Sequence, residues 1–128
     1  MNADSLFAYS ELIRSLTQSN YSIDQSAQEF ISKQSLNQKS LAELCSDLKL
    51  FIETTSNEEL LGLAIQALGW SFHNEFEALY RKVATKNSNN NFICHSCLIA
   101  LDNLGCIECS SLSINEGSLN AKRILNLA

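Results

Sequence analysis

Two closely spaced pairs of cysteines are the residues of this chain most able to hold a metal ion. Cys94 and Cys97 form one C-x-x-C element, and Cys106 and Cys109 form a second one eight residues later. Four thiolates from two such elements complete the tetrahedral coordination that structural zinc requires. A zinc-binding regulator that uses these four cysteines is therefore one hypothesis for the function.

The segment between the two cysteine pairs argues against that site. Residues 98–104 have the apolar spacing of a helix, which holds its ends about 12 Å or more apart at a rise of 1.5 Å per residue. Cysteine is also among the side chains most often buried as a small hydrophobe. With Cys45 the chain has five cysteines, an odd number that disfavours a disulfide framework. We therefore expect reduced, buried thiols, no stoichiometric metal and no other cofactor.

Catalytic side chains are the second kind of chemistry to consider. A nucleophile needs a neighbouring base, and His73 and His95 are the two histidines of the chain. His95 follows Cys94, but sequence neighbours on a helix point in different directions. The acidic pair Glu58 and Glu59 suits a solvated helix start, where the helix dipole favours negative charge. The sequence contains no P-loop, dinucleotide-binding loop or catalytic triad, so we expect that the protein is not an enzyme.

Composition predicts one small domain, residues 1–128, that is helical throughout. The chain has no proline and four glycines, and its apolar fraction of 45% suits a single core. Apolar spacing predicts N-terminal capping helices within residues 1–36, the first of them with Phe7 on its buried side. No apolar stretch approaches the ~20 residues that span a bilayer, and no secretory signal is recognisable. We expect a cytoplasmic protein with no membrane partner.

The second half of the sequence contains an internal repetition. Residues 61–69 and 97–105 both carry an apolar run that ends in Leu-Gly. Apolar positions before these runs also correspond in order: Leu41, Leu44, Cys45 and Leu48 with Phe76, Leu79, Tyr80 and Val83. The pattern predicts two helical hairpins, repeat 1 at 41–69 and repeat 2 at 75–105, with a C-terminal helix at 117–128. In each repeat, the glycine is expected to end the second helix in a left-handed conformation.

This pattern resembles HEAT-type helical repeats, whose second helix commonly carries an apolar, alanine-rich run ending in Leu-Gly. The matching residues are Ala64, Leu68 and Gly69 in repeat 1, and Ala100, Leu104 and Gly105 in repeat 2. The usual proline of the first helix and the Asp and Arg of the turn are missing. The resemblance implies an all-α fold, a short right-handed α-solenoid of HEAT-like helical hairpins with capping helices. In such a stack the second helices line the concave side.

The second helices leave a polar stripe opposite their core residues. The residues predicted to bind a partner are this stripe and its flanks: Glu58, Glu59, Gln66, Trp70, His73, His95 and Asp102. Stacking of the repeats is expected to place Glu59, Gln66 and Asp102 side by side as one acidic wall. Trp70 either fills the core between the repeats or anchors a partner, since aromatic residues are enriched at binding sites.

Net charge narrows the choice of partner. Fourteen acidic and nine basic side chains give a net charge of −5, which disfavours nucleic acid and suits a basic protein. Small acidic helical proteins without catalytic residues resemble bacterial immunity proteins of contact-dependent growth inhibition systems. The resemblance implies that the chain binds and neutralises a cognate toxin, which we expect to be a basic nuclease. The alternatives are a HEAT-like scaffold or adaptor that binds a cellular protein or peptide, and the zinc-binding regulator.

Overall fold

A computed structural model describes residues 1–105 of the chain, which form α-helices and short turns with no strand among them. The helices are α1 (Ala3–Thr17), α2 (Gln25–Lys33), α3 (Leu41–Thr54), α4 (Glu58–Gly69), α5 (Glu77–Lys86) and α6 (Asn91–Asn103), with 3-10 turns at Leu36–Gln38 and Asn74–Phe76. This confirms the all-α prediction. The helix predicted at 117–128 lies outside the described residues. None of the described helices combines the length and the apolar character needed to cross a bilayer.

Polar side chains set where three of the four hairpin helices begin, α3, α4 and α6. Ser40 accepts a hydrogen bond from the backbone N–H of Glu43, and the Glu43 carboxylate accepts one from the backbone N–H of Ser40. This reciprocal capping box fixes the start of α3. Asn57 and Asn90 cap α4 and α6 by accepting from the backbone N–H three residues later. Equivalent caps 33 residues apart therefore begin the two second helices.

Small residues let α4 and α6 approach each other closely. Gln66 Nε2 donates to Ser96 Oγ at 3.0 Å, and Asn103 Nδ2 donates to the Gly69 carbonyl at 3.2 Å. Because these contacts advance in the same order along both helices, α4 and α6 run parallel. A Cβ on Gly69 would lie 3.1 Å from the Cα of Ala100, so the absence of a side chain allows the two backbones to meet.

The left-handed glycine was predicted correctly in one repeat and wrongly in the other. Gly105 follows α6 with a φ of 76°, as expected for a helix end. Gly69 instead stays within α4, and the chain continues through Trp70 in a right-handed conformation before it turns at Phe72, whose φ is 57°. Close contact with α6, rather than backbone conformation, is what Gly69 contributes.

The predicted alignment of repeat 1 with repeat 2 is shifted by one helical turn relative to the structure. The matched runs are 36 residues apart in the sequence, whereas the caps Asn57 and Asn90 are 33 apart. Leu61 therefore corresponds to Cys94 and not to Cys97. An amphipathic helix repeats its apolar pattern at every turn, so a shift of one turn preserves most of the apparent match.

α1 packs against the other side of α4 and runs in the same direction. Phe7 and Leu63 line one groove near the start of the two helices. At their ends, Thr17 Oγ1 donates to the Trp70 carbonyl at 2.9 Å. The helices α1, α4 and α6 thus form a parallel layer with α4 in the middle. Each first helix, α3 or α5, packs against the second helix that follows it, and α2 packs against α1.

The three tyrosines of the chain all have raised pKa values. Burial, together with a hydrogen bond of 2.8 Å that the Tyr9 hydroxyl donates to Asp47, raises the pKa of Tyr9 to about 12. Burial also raises the pKa of Tyr80, and burial with a hydrogen bond to Glu11 raises that of Tyr21. The folded chain therefore favours the protonated form of each ring.

We expect the folded protein to show little tyrosinate absorbance at pH 10, where half of the tyrosines with an ordinary pKa are ionised. Because protonated Tyr9 is favoured in the folded state, its contribution to stability is complete below pH 10 and is lost as the pH rises toward 12. Ultraviolet difference spectroscopy of the native and the denaturant-unfolded chain measures this directly. Equal tyrosinate signals from the two states would contradict the raised pKa values of the three rings.

Candidate functional site

The outer side of the layer formed by α1, α4 and α6 exposes apolar side chains. Phe7 on α1 is 46% exposed, contrary to its predicted place in the core, and Phe92 on α6 is 40% exposed. Leu63 on α4 and Trp70, which directly follows α4, are partly buried. We name this surface, which consists of Phe7, Leu63, Gln66, Trp70 and Phe92, the three-helix face.

A cation held between two aromatic rings fixes one end of the three-helix face. The Arg14 Cζ lies 4.2 Å from the centroid of the Trp70 ring and 4.5 Å from that of Tyr21. Such cation–π contacts attract the guanidinium to both ring faces. Phe72 meets the Trp70 ring edge-on, with centroids 6.4 Å apart. Trp70 therefore packs against α1 rather than between the two repeats, and it remains partly exposed. Whether it anchors a partner stays a prediction.

Charge is distributed unevenly between this layer and the rest of the chain. The helices α1, α4 and α6 contain one basic side chain, Arg14, and five acidic ones: Asp4, Glu11, Glu58, Glu59 and Asp102. The layer therefore has a net charge of −4, most of the −5 of the whole chain. α4 has no basic residue, and α6 has no lysine or arginine. The layer that carries the apolar surface thus holds most of the net negative charge of the chain.

The predicted acidic wall is not formed as expected. The contact of Gln66 with Ser96 fixes the register of α4 against α6. Glu59 lies about two turns before this contact and Asp102 almost two turns after it, which separates them by about 20 Å along the layer. The side-by-side arrangement was wrong because the sequence match paired Gln66 with Asp102.

Three of the predicted residues contribute to the layer in different ways. Glu58 and Glu59 are both exposed at the start of α4. The Glu58 carboxylate accepts a hydrogen bond of 2.7 Å from Asn90 Nδ2, which ties together the starts of α4 and α6. The Gln66 amide donates a hydrogen bond to Ser96, so α6 fixes the orientation of the Gln66 side chain.

The two histidines lie in separate places. His73 follows the end of α4, where its ring stacks on Phe76 with centroids 6.2 Å apart and its Nδ1 lies 3.7 Å from Glu75 Oε1. It therefore does not extend the stripe of α4. His95 is partly buried on α6, and its Nδ1 has no hydrogen-bond partner among residues 1–105.

The cysteines of the described chain are core residues. Cys94 and Cys97 are fully buried in α6, and the Cys94 thiol donates to the Asn87 carbonyl at 3.5 Å. Burial raises the pKa values of the Cys97 and Cys45 thiols, which disfavours the thiolate that binds zinc. Cys106 and Cys109 lie outside the described residues. Residues 1–105 contain no group of three or more histidine, cysteine or acidic side chains placed to hold a metal ion.

A second concavity lies between the two hairpins, on the side of α3 and α5. This cleft of about 520 Å³ has Ile52, Leu61 and Val83 among its apolar lining residues. Its charged lining residues are two acidic and two basic: Glu53, Glu58, Lys82 and Lys86. Because these charges balance, the cleft lacks the net negative charge of the layer formed by α1, α4 and α6.

Comparison of the chain with protein-family models, with curated proteins and with solved structures found no match.

Proposed function

We propose that the chain is an immunity protein that binds and neutralises a cognate bacterial toxin, a basic nuclease, by protein–protein contact. The observation that carries this proposal is the three-helix face, an exposed apolar surface within a layer of net charge −4. Exposed apolar patches bordered by polar residues are typical of protein-binding sites. Complementary charge accelerates encounter with a basic partner and discriminates against acidic ones.

We also propose that the fold is a short right-handed α-solenoid of HEAT-like hairpins. The hairpins are residues 41–69 and 75–105, and residues 1–36 form the N-terminal cap. The parallel direction of α1, α4 and α6 supports it, as does the 33-residue spacing of the asparagine caps. Small residues between α4 and α6 bring the second helices together, which favours a concave three-helix face. Neutralisation by such a surface requires no catalysis and takes place in the cytoplasm, where a nuclease toxin acts.

Site-specific photocrosslinking in the native cell tests the proposal. With a photoreactive phenylalanine analogue in place of Phe7, we expect capture of a basic protein that arrests growth when it is expressed alone. Co-expression of this chain should then restore growth. The matched control places the same analogue at Leu50, which is 64% exposed on α3 and outside the three-helix face.

Two results would count against the immunity function. Equal capture through residue 7 and residue 50 would mean that the three-helix face is not the interface. Capture of a basic protein that is harmless when expressed alone would favour the alternative, a scaffold or adaptor for a cellular protein.

A further inference from the structure

We propose that the groove between α1 and α4 receives the apolar side chains of a basic amphipathic helix presented by the partner. The proposal rests on the proposed function, since it names the part of a toxin that the three-helix face recognises. It can nevertheless be tested with a synthetic helix and without any toxin.

The shape of the groove follows from two helices that run side by side in the same direction. Its lining residues recur at helical spacing on both walls: Ala3, Leu6, Phe7 and Ser10 on α1, and Leu63, Gln66 and Trp70 on α4. A groove between parallel helices is where the side-chain ridge of a third helix packs. Its volume of about 230 Å³ suits a few apolar side chains rather than the body of a helix. Apolar anchors spaced three and four residues apart on an amphipathic helix match this geometry.

The charge around the groove favours basic residues on the polar side of the partner helix. Glu59 is exposed on α4, one turn before Leu63. Arg14 is the one basic side chain of α1, and its guanidinium lies between the Trp70 and Tyr21 rings. The groove lining itself has no charged side chain. Asp4 is exposed one turn before Phe7, so Asp4 and Glu59 together outnumber Arg14 around the groove, and lysine or arginine beside the apolar anchors meets net negative charge. A second copy of this chain is disfavoured as the occupant, because two layers of net charge −4 repel each other.

Trp70 makes the test direct, because it is the single tryptophan of the chain and lines the groove. The probe is a synthetic amphipathic helix of leucine and lysine, and the control peptide has glutamate at every lysine position. We expect the lysine peptide to shift the Trp70 emission in a saturable manner. The glutamate peptide should bind at least about tenfold more weakly, and raising the salt concentration should reduce this difference.

Variants of the chain locate the bound peptide. Phe7→Ser removes apolar surface of the groove on which the peptide side chains would pack. Ser10→Arg fills the groove with a positively charged side chain. Each should weaken binding of the lysine peptide about tenfold, which corresponds to ~1.4 kcal/mol. Leu50→Ser removes an even more exposed apolar side chain from α3 and should leave binding unchanged. Circular dichroism confirms that each variant is folded before the titration.

The outcomes separate this inference from the immunity function. An unchanged Trp70 emission with the lysine peptide would overturn the inference, and so would equal losses for Phe7→Ser, Ser10→Arg and Leu50→Ser. If the peptide binds in the groove but no toxin is captured in the cell, the proposed function fails and the inference stands. If a toxin is captured and Phe7→Ser and Ser10→Arg neutralise it as well as the native chain does, the inference alone fails.

Discussion

Replacing Gly69 by valine is expected to lower the free energy of unfolding by about 3 kcal/mol, the upper part of the range for overpacked cores. A Cβ at this position lies 3.1 Å from both the Cα and the Cβ of Ala100. Because the obstacle is partly backbone, α4 and α6 must separate to admit the new side chain. Valine has a better helix propensity than glycine, but that gain is only about 0.5 kcal/mol and does not offset the clash. Urea denaturation measures the change.

Gly62→Ala is the matched control for this prediction. A Cβ on Gly62 would also clash, but the atoms that it meets belong to the far end of the Phe92 ring. That ring is 40% exposed and can rotate away. Alanine gains about 1 kcal/mol of helix propensity over glycine, so we expect little net loss. Equal destabilisation by Gly62→Ala and Gly69→Val would contradict the view that Gly69 sets the spacing of the two helices.

The helices themselves could be predicted because their signals are local. Apolar residues at helical spacing mark α3 to α6, and Ser40 with Glu43 marks the start of α3 by side chains only three residues apart. The Leu-Gly end of repeat 2 also gave the left-handed Gly105. Each of these features depends on neighbours within one or two turns of the same helix.

The alignment between helices could not be predicted in the same way. It depends on where Gly69 meets Ala100 and where Gln66 meets Ser96, contacts between residues about 30 positions apart. The apolar pattern of a helix repeats at each turn. The sequence alone therefore did not show whether equivalent residues of the two repeats are 33 or 36 positions apart. The misplacement of Glu59 relative to Asp102 follows from that ambiguity.

The apolar part of the three-helix face was missed for a related reason. An aromatic residue at helical spacing indicates a core position, and Phe7 was placed there. Its exposure depends on how far α1 is covered by α2 and α4, which no local pattern specifies. The net charge of −4 shared by α1, α4 and α6 was present in the sequence, but α3 carries −2 by itself, so charge alone did not single out these three helices.

The central claim is that a basic protein binds this face, and the association rate constant with the captured partner tests it most directly. The Glu59→Lys and Asp102→Lys double variant should associate about tenfold more slowly than the native chain at low salt, because it replaces attraction by repulsion at two positions of the acidic layer around the face. The difference should shrink as salt screens the charges. Exposed substitutions such as Glu59→Lys usually change stability by less than ~0.5 kcal/mol, so thermal unfolding should remain close to that of the native chain.

The control for net charge is the double variant Glu53→Lys and Glu75→Lys, which makes the same change at two exposed positions outside the layer formed by α1, α4 and α6. We predict that association slows markedly for the layer variant, Glu59→Lys and Asp102→Lys, and only slightly for the control, while both remain folded. Equal slowing of the two variants would mean that only the overall charge matters. Unchanged association for the layer variant would mean that the partner binds elsewhere on the chain.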